Sequence, residues 1–300
     1  MSNDSFSLDM FGNTALSSGL GFGLGMNEEF APEPATPENT SAAPEAPIVP
    51  LPVVAAKLPS PRKMGDRANF YLDDDDRDLP KSWKERARIN VAAILSANEI
   101  EKLDIPVTRE HQKRLIRFTG FGASELANGM FRRPGEVEFR DGWDDLGGSL
   151  ESVVSETDYA SLARCTQYAH FTPEFIIRAI WAGLQRLGWR GGRVLEPGIG
   201  TGLFPALMPE AFRASSYVTG IELDPVTARI VRLLQPKARI VNGDFARTDL
   251  GVIYDLAIGN PPFSDRTVRS DRNYRSLGLR LHDYFIARSI DLLKPCLLYT

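Results

Sequence analysis

Arg193-Val-Leu-Glu-Pro-Gly-Ile-Gly-Thr-Gly-Leu203 is the stretch on which the reading of this 300-residue chain turns. Val194 and Leu195 supply the apolar run of a short buried strand, and Gly198, Gly200 and Gly202 supply a tight turn. A helix is expected to open at about Leu203. Glycines at such a junction allow a sharp turn and a close backbone approach to a ligand, and the helix N-terminus adds partial positive charge. A G-x-G-x-G turn serves nucleotide-like ligands and plain strand–helix connections alike, so its neighbours decide.

Downstream, the chain alternates. Residues 217–221 read as a second strand, ending in Glu222, and residues 227–234 as a helix with Ala228, Val231 and Leu234 on one face. Residues 239–241 read as a third strand, ending in Asn242-Gly-Asp244-Phe245. Residues 254–258 read as a fourth, ending in Gly259-Asn260-Pro261-Pro262-Phe263. Strands alternating with helices predict right-handed crossovers and a mostly parallel, doubly wound α/β sheet. Ligands of such sheets bind at the carboxyl ends of the strands, which is where each polar group falls.

Upstream, Thr172 and Pro173 predict a helix start, with Thr172 as N-cap. Ile176, Ile180, Leu184 and Leu187 mark its buried face, and Gly188 its end. Residues 81–165 read as a mostly helical accessory region, whose role is either to pack on the following domain or to face a partner. Within it, residues 89–95 carry an apolar stripe, Thr108 caps a helix through Leu115, and Gly120-Phe-Gly122 breaks it. Gly147-Gly148 places residues 146–150 in a loop. Residues 1–80 read as a disordered, low-complexity leader, rich in Pro, Ala and Glu. The acidic run 73–76 reads as a solvated charge cluster. The segment 166–300 holds the remaining motifs.

Charge divides along the same line. Residues 1–165 carry 18 Lys/Arg against 27 Asp/Glu, whereas residues 166–300 carry 17 against 12, so the basic half holds the motifs and suits an anionic partner. Cys165 and Cys296, the only cysteines, have neither metal-ligand spacing nor a disulfide framework, and no metal is expected. No window reaches the length of a membrane span, and no Lys or Arg precedes Lys57, so a cytoplasmic location is expected.

The order of these motifs resembles the class I S-adenosylmethionine-dependent methyltransferases over about residues 168–295. Asn260-Pro261-Pro262-Phe263 resembles the signature of their adenine-N6 group. Ile94-Leu-Ser-Ala-Asn-Glu-Ile-Glu-Lys102 and Arg117-Phe-Thr-Gly-Phe-Gly122 are similar to the leader of large methyltransferase–helicase fusion proteins of phages and mobile elements. The resemblance implies a Rossmann-like methyltransferase sheet with S-adenosyl-L-methionine as cofactor. Phe171 and Thr172 would lie against its methionine end, and Glu196 would help position its amino-acid moiety, with Gly198, Gly200 and Gly202 bringing the backbone against it. Glu222 would accept its ribose hydroxyls, Asp244 its adenine amino group, and Phe245 and Phe285 would pack nearby.

Chemistry is expected at the tetrapeptide. The lone pair of an adenine amino group is delocalised into the ring, so it is a poor nucleophile. Two acceptors aimed at its hydrogens, the Asn260 side-chain oxygen and the Pro261 carbonyl, favour the localised form. Pro261 and Pro262 stiffen the loop, and Phe263 offers a stacking face for a flipped base. Arg266, Arg269, Arg272 and Arg275 follow and suit DNA phosphates, or form a solvated loop. The implied function is adenine-N6 methylation of DNA. RNA-adenine or protein-glutamine methylation and a non-catalytic cofactor- or DNA-binding module are the alternatives. Relatives continue from a Lys-Pro segment into further strands, so residues 296–300 are read as foreign to the pattern, the sheet as incomplete at its C-terminus, and a helicase region is expected in the full-length protein.

Overall fold

The computed structural model describes residues 68–72, 77–133, 135–167, 172–251 and 253–295. Its sheet has four parallel strands, β1 (Gly192–Pro197), β2 (Ser216–Glu222), β3 (Arg239–Asn242) and β4 (Leu256–Ala257), in the order β3-β2-β1-β4. Pro197 lies beside Ile221 and Glu222 beside Asn242, so the carboxyl ends of the first three strands share one edge. Strand order reverses at β1, with β2 and β3 on one side and β4 on the other. That reversal opens a crevice between the turn after β1 and the turn after β4.

Ten helices surround the sheet among the described residues. They are α1 (Trp83–Leu103), α2 (Arg109–Leu115), α3 (Ser124–Met130), α4 (Asp144–Val153) and α5 (Glu156–Cys165). Then follow α6 (Glu174–Arg186), α7 (Leu203–Ala206), α8 (Glu210–Arg213), α9 (Pro225–Leu234) and α10 (Leu281–Asp291). Alternate strand residues feed two cores. Val194, Leu256 and Ile258 join the large cluster with α1 to α6 and α9, whereas Leu195, Ile221 and Ala257 join Phe245, Tyr274 and Tyr284 beneath α10. This period-2 alternation, with helices on both faces, is the doubly wound arrangement.

Several elements differ from expectation in instructive ways. The fourth strand has two ladder residues, although Ile258 N still donates to Leu195 O at 2.9 Å. Tyr254 instead bridges to Leu293, with Tyr254 N donating to Leu292 O at 2.8 Å. The helix after the Gly-rich turn is only Leu203–Ala206, and Pro209 starts the next one.

Residues 146–150 lie inside helix α4 rather than in a loop, because Gly147 packs its bare Cα against the Phe139 ring, where an added Cβ would collide. The N-cap of α6 is Pro173, with no side-chain bond, so Thr172 does not cap it. Its buried residues are Ile177, Trp181 and Leu184, about one position round from the expected face, and Leu187 is exposed. Trp181 sets this rotation: it packs against Trp189 and Phe212 and donates from Nε1 to Phe204 O at 3.0 Å. Gly188, with φ of 84°, follows the helix end as expected.

Residues 68–72, inside the stretch read as a leader, form a strap. Phe70 N donates to Leu234 O at 2.7 Å, Leu72 N donates to Ala206 O at 2.8 Å, and both side chains are buried. No helix of the described residues is long and apolar enough to cross a membrane.

Candidate active site

A cavity of about 500 Å³ opens at the carboxyl edge of the sheet. Its floor is the turn after β1. Gly198 and Gly200, with φ of 74° and 56°, adopt the left-handed backbone that glycine permits, and both line the cavity. Gly202 also has positive φ but does not line it. A Cβ there would come within 2.8 Å of Val231 Cγ2, so Gly202 serves helix packing against α9.

Glu196 and Glu222 both line the cavity. Glu196 is 3% exposed and its Oε2 has no partner. Burial, and then the neighbouring Glu222 charge, push its carboxyl well above the usual range. Glu222 accepts from Gly200 N at Oε2 (2.8 Å) and from Asp224 N at Oε1 (2.9 Å). Burial pushes its carboxyl up to about 7 despite those bonds. A buried carboxylate beside a half-buried one calls for a ligand that brings positive charge and hydroxyl donors. Each Glu222 oxygen retains lone-pair capacity for such donors. Thr172 Oγ1, buried without a partner, faces the same need.

The turn after β3 supplies the opposite wall. Asp244 caps a 3-10 turn, Phe245–Arg247, by accepting from Ala246 N at 2.9 Å, and its carboxylate lies 3.8 Å from Arg247 Nε. Phe245 and Phe285 line the cavity with ring centroids 4.9 Å apart. Phe285 approaches the Gly198 turn, 3.9 Å from where a Cβ would sit. Arg288 pins this wall by donating to Phe245 O, to Thr248 O at 2.6 Å and to Tyr284 Oη at 3.0 Å. Tyr284 in turn donates to Asp271 Oδ2 at 2.7 Å, which ties the wall to the Arg-rich segment.

The tetrapeptide after β4 divides. Asn260 and Pro262 line the main cavity, whereas Pro261 lines a small neighbouring hollow against Phe285 and Ser289. Phe263 is 61% exposed and lines neither hollow, its ring 5.8 Å from that of His282. Arg266 and Arg269 line the cavity; Arg272 and Arg275 are exposed outside it, with Arg275 Nε donating to Arg269 O at 3.0 Å. A hairpin-like closure holds this segment, with Val268 N donating to Leu279 O at 3.0 Å and a bridge between Thr267 and Arg280. Phe171 lies outside the described residues, as does His170 beside it. Sequence reasoning missed Gly120, Cys165 and Asp224, which also line the cavity. Asp224 alone carried a signal, since Asp-Pro is a helix N-cap followed by proline at the first helical position.

A parallel sheet reversing at β1, with a Gly-rich turn, an acid after the second strand, and Asn260 and Pro262 of the turn after β4 lining one cavity, resembles the layout of the class I S-adenosylmethionine-dependent methyltransferases. The unpartnered Glu196 Oε2, the two acceptor oxygens of Glu222 and the aromatic wall fit that cofactor's cationic, ribose and adenine parts. No protein-family profile matches the chain. It is 29% identical over 131 residues, 42% of its length, to the defense against restriction protein B of Escherichia phage P1, covering 6% of that protein. It is 26% identical over 135 residues to the tRNA1(Val) (adenine(37)-N6)-methyltransferase of Porphyromonas gingivalis, covering 40% of this chain and 52% of that one. It is 38% identical over 74 residues to the Type II methyltransferase M.TthHB8I of Thermus thermophilus, covering 25% of this chain and 16% of that one. The chain thus spans about half the length, or much less, of these relatives.

Proposed function

We propose that this protein transfers a methyl group from S-adenosyl-L-methionine to the N6 amino group of adenine in DNA. The observation that carries the proposal is that Asn260 and Pro262 line the same cavity as Glu222 and Asp244. An amino group held at the tetrapeptide is therefore within reach of a cofactor held at the strand ends. When bound, the cofactor would supply an electrophilic methyl from its sulfonium, which would keep the bonding pair, and the target nitrogen would take the methyl and release its amino proton to solvent.

The chain's own groups then have distinct tasks. Glu222 holds the ribose hydroxyls, Glu196 the amino-acid end with Thr172 and Phe171, Asp244 the adenine amino group, and Phe245 and Phe285 its ring. The Asn260 oxygen and the Pro261 carbonyl accept from the target amino group, and localising its lone pair lowers the barrier through pre-aimed acceptors. Phe263, exposed next to Pro262, offers the stacking face for a flipped base. Arg266 and Arg269 at the cavity, with Arg272 and Arg275 beyond it, hold phosphates on either side.

DNA as the substrate is supported by the basic segment and by the phage and Type II relatives; the larger methyltransferase–helicase setting is part of the same proposal. RNA is the second reading, supported by the tRNA-modifying relative. The test is to incubate the protein with isotope-labelled cofactor and DNA, tRNA or protein in parallel, and to identify the product by mass spectrometry. N6-methyladenine in DNA is the expected result. Label confined to tRNA or protein would overturn the substrate, and no cofactor binding would overturn the class of activity.

A further inference from the structure

The helices that precede the sheet reach the cavity at two points. Gly120, within Arg117-Phe-Thr-Gly-Phe-Gly122, and Cys165, the last residue of α5, both line it. Each point is fixed by a buried polar side chain from this helical region. Asn90 on α1, fully buried, donates from Nδ2 to Gly120 O at 2.6 Å and accepts at Oδ1 from Thr119 N at 2.8 Å. Phe118 and Phe121, both buried, anchor the loop on either side, with their rings edge-to-face at 6.0 Å.

On α5, Ser161 donates from Oγ to Asp224 Oδ1 at 2.8 Å in a buried contact. Asp224 Oδ2 accepts from Thr227 N and Thr227 Oγ1, each at 2.8 Å. The backbone N–H of Asp224 donates to Glu222 Oε1 at 2.9 Å. A single chain of hydrogen bonds therefore runs from α5 to the carboxylate assigned to the cofactor's ribose. Further along the same contact, Arg229 on α9 pairs with Asp158 on α5 at 2.8 Å.

We infer that the helical region is a working part of the cofactor site, with α5 and the 119–122 loop forming one wall of the cavity. Ser161 is a positioning residue that holds Asp224 and, through its backbone, Glu222. The inference rests on the S-adenosylmethionine reading above and deepens it. The carboxylate of Asp224 is nearly fully buried, so losing one of its donors leaves an unsatisfied acceptor that only movement of the Leu223–Asp224 segment, or an added water, relieves. Movement of that segment displaces the N–H that orients Glu222.

Ser161→Ala deletes only the hydroxyl. Titration calorimetry with S-adenosyl-L-methionine is expected to show affinity weakened about tenfold, the scale of a hydrogen bond to a buried charge. In steady-state kinetics KM for the cofactor should rise with kcat and nucleic-acid KM retained, and Ser161→Thr, which keeps the hydroxyl, should restore much of the affinity. Asn98→Ala is the control: Asn98 Nδ2 donates to Val153 O at 2.6 Å in the same helical region, away from the cavity. It should cost stability and leave cofactor affinity unchanged.

An independent arm uses the unaltered chain. Cofactor should slow amide hydrogen exchange in residues 156–165 and 118–122, and leave α4 unaffected. Unchanged affinity in Ser161→Ala, or equal weakening in Asn98→Ala, would overturn the inference. If Ser161→Ala fails to fold, absence of the exchange protection overturns it. Failure of the unaltered chain to bind S-adenosylmethionine overturns the cofactor reading and this inference with it, whereas binding without these effects overturns the inference alone.

Discussion

Asn260 and Glu222 share one cavity, and the proposed function turns one toward the substrate and the other toward the cofactor. Asn260→Ala removes one of two acceptors and leaves the proline backbone in place. Single-turnover methyl transfer should slow by roughly 10²–10³, by analogy with deleting one pre-aimed oxyanion donor, with cofactor affinity nearly unchanged. Loss of cofactor binding instead would place the tetrapeptide in the cofactor pocket. Glu222 predicts a pH dependence. Its carboxyl stands at about 7 when folded against an ordinary 4.5, so between these values the folded state holds more protons than the unfolded one. The stability it contributes is complete below about 4.5 and is lost as pH rises through about 7. Hydroxyl donors favour its ionised form, so cofactor affinity should climb as pH rises toward 7 and level off above it. Calorimetry across pH 5.5–8.5 on the parent and on Glu222→Gln checks this; an equal climb in the variant would assign the titration elsewhere.

Helix α4 and the Arg-rich segment carry the predictions at the scale of an element. Gly147 and Gly148 are neighbours in α4 with opposite surroundings. A Cβ at Gly147 collides with the Phe139 ring, whereas one at Gly148 meets nothing within 4 Å. Gly147→Ala should therefore destabilise by about 1–3 kcal/mol through overpacking, and Gly148→Ala should stabilise by about 0.5–1 kcal/mol through helix propensity. Thermal unfolding of the two variants reads both signs. The Arg-rich segment is pinned by Tyr284 and Asp271 yet leaves its guanidinium groups exposed, which suits phosphate contacts more than base reading. Arg269→Ala with Arg272→Ala should weaken DNA binding similarly for all sequences and flatten its salt dependence by up to about two units of slope. A lost sequence preference with an unchanged slope would make these arginines base readers.

The whole molecule is organised so that the cavity draws on the helices before the sheet, the strand ends and the Arg-rich segment together. Ligand binding should therefore stabilise all of them at once: at a hundred times its dissociation constant, S-adenosyl-L-methionine should add about 2.7 kcal/mol, seen as a melting transition that rises with ligand as one step. Two separated transitions, with only one responding, would show the helical region to unfold independently of the cofactor. The sequence by itself determined the strand ends. The Gly198–Gly202 turn, Glu222, Asp244 and Asn260-Pro-Pro-Phe263 are local signals, because glycine, proline and capping acids act through φ angles and neighbouring N–H groups. Periodicity gave α9 and the second and third strands within a residue or two. What it left open were contacts between residues far apart in the chain. Trp181, lodged between Trp189 and Phe212, turned the buried face of α6, and the Phe139 ring explained a glycine that had read as a loop. Val231 took Gly202 out of the ligand's reach, and Ser161 met Asp224 across 63 positions with no local trace. A backbone preference is written where it acts, whereas packing and buried hydrogen bonds exist only once the chain has brought their partners together.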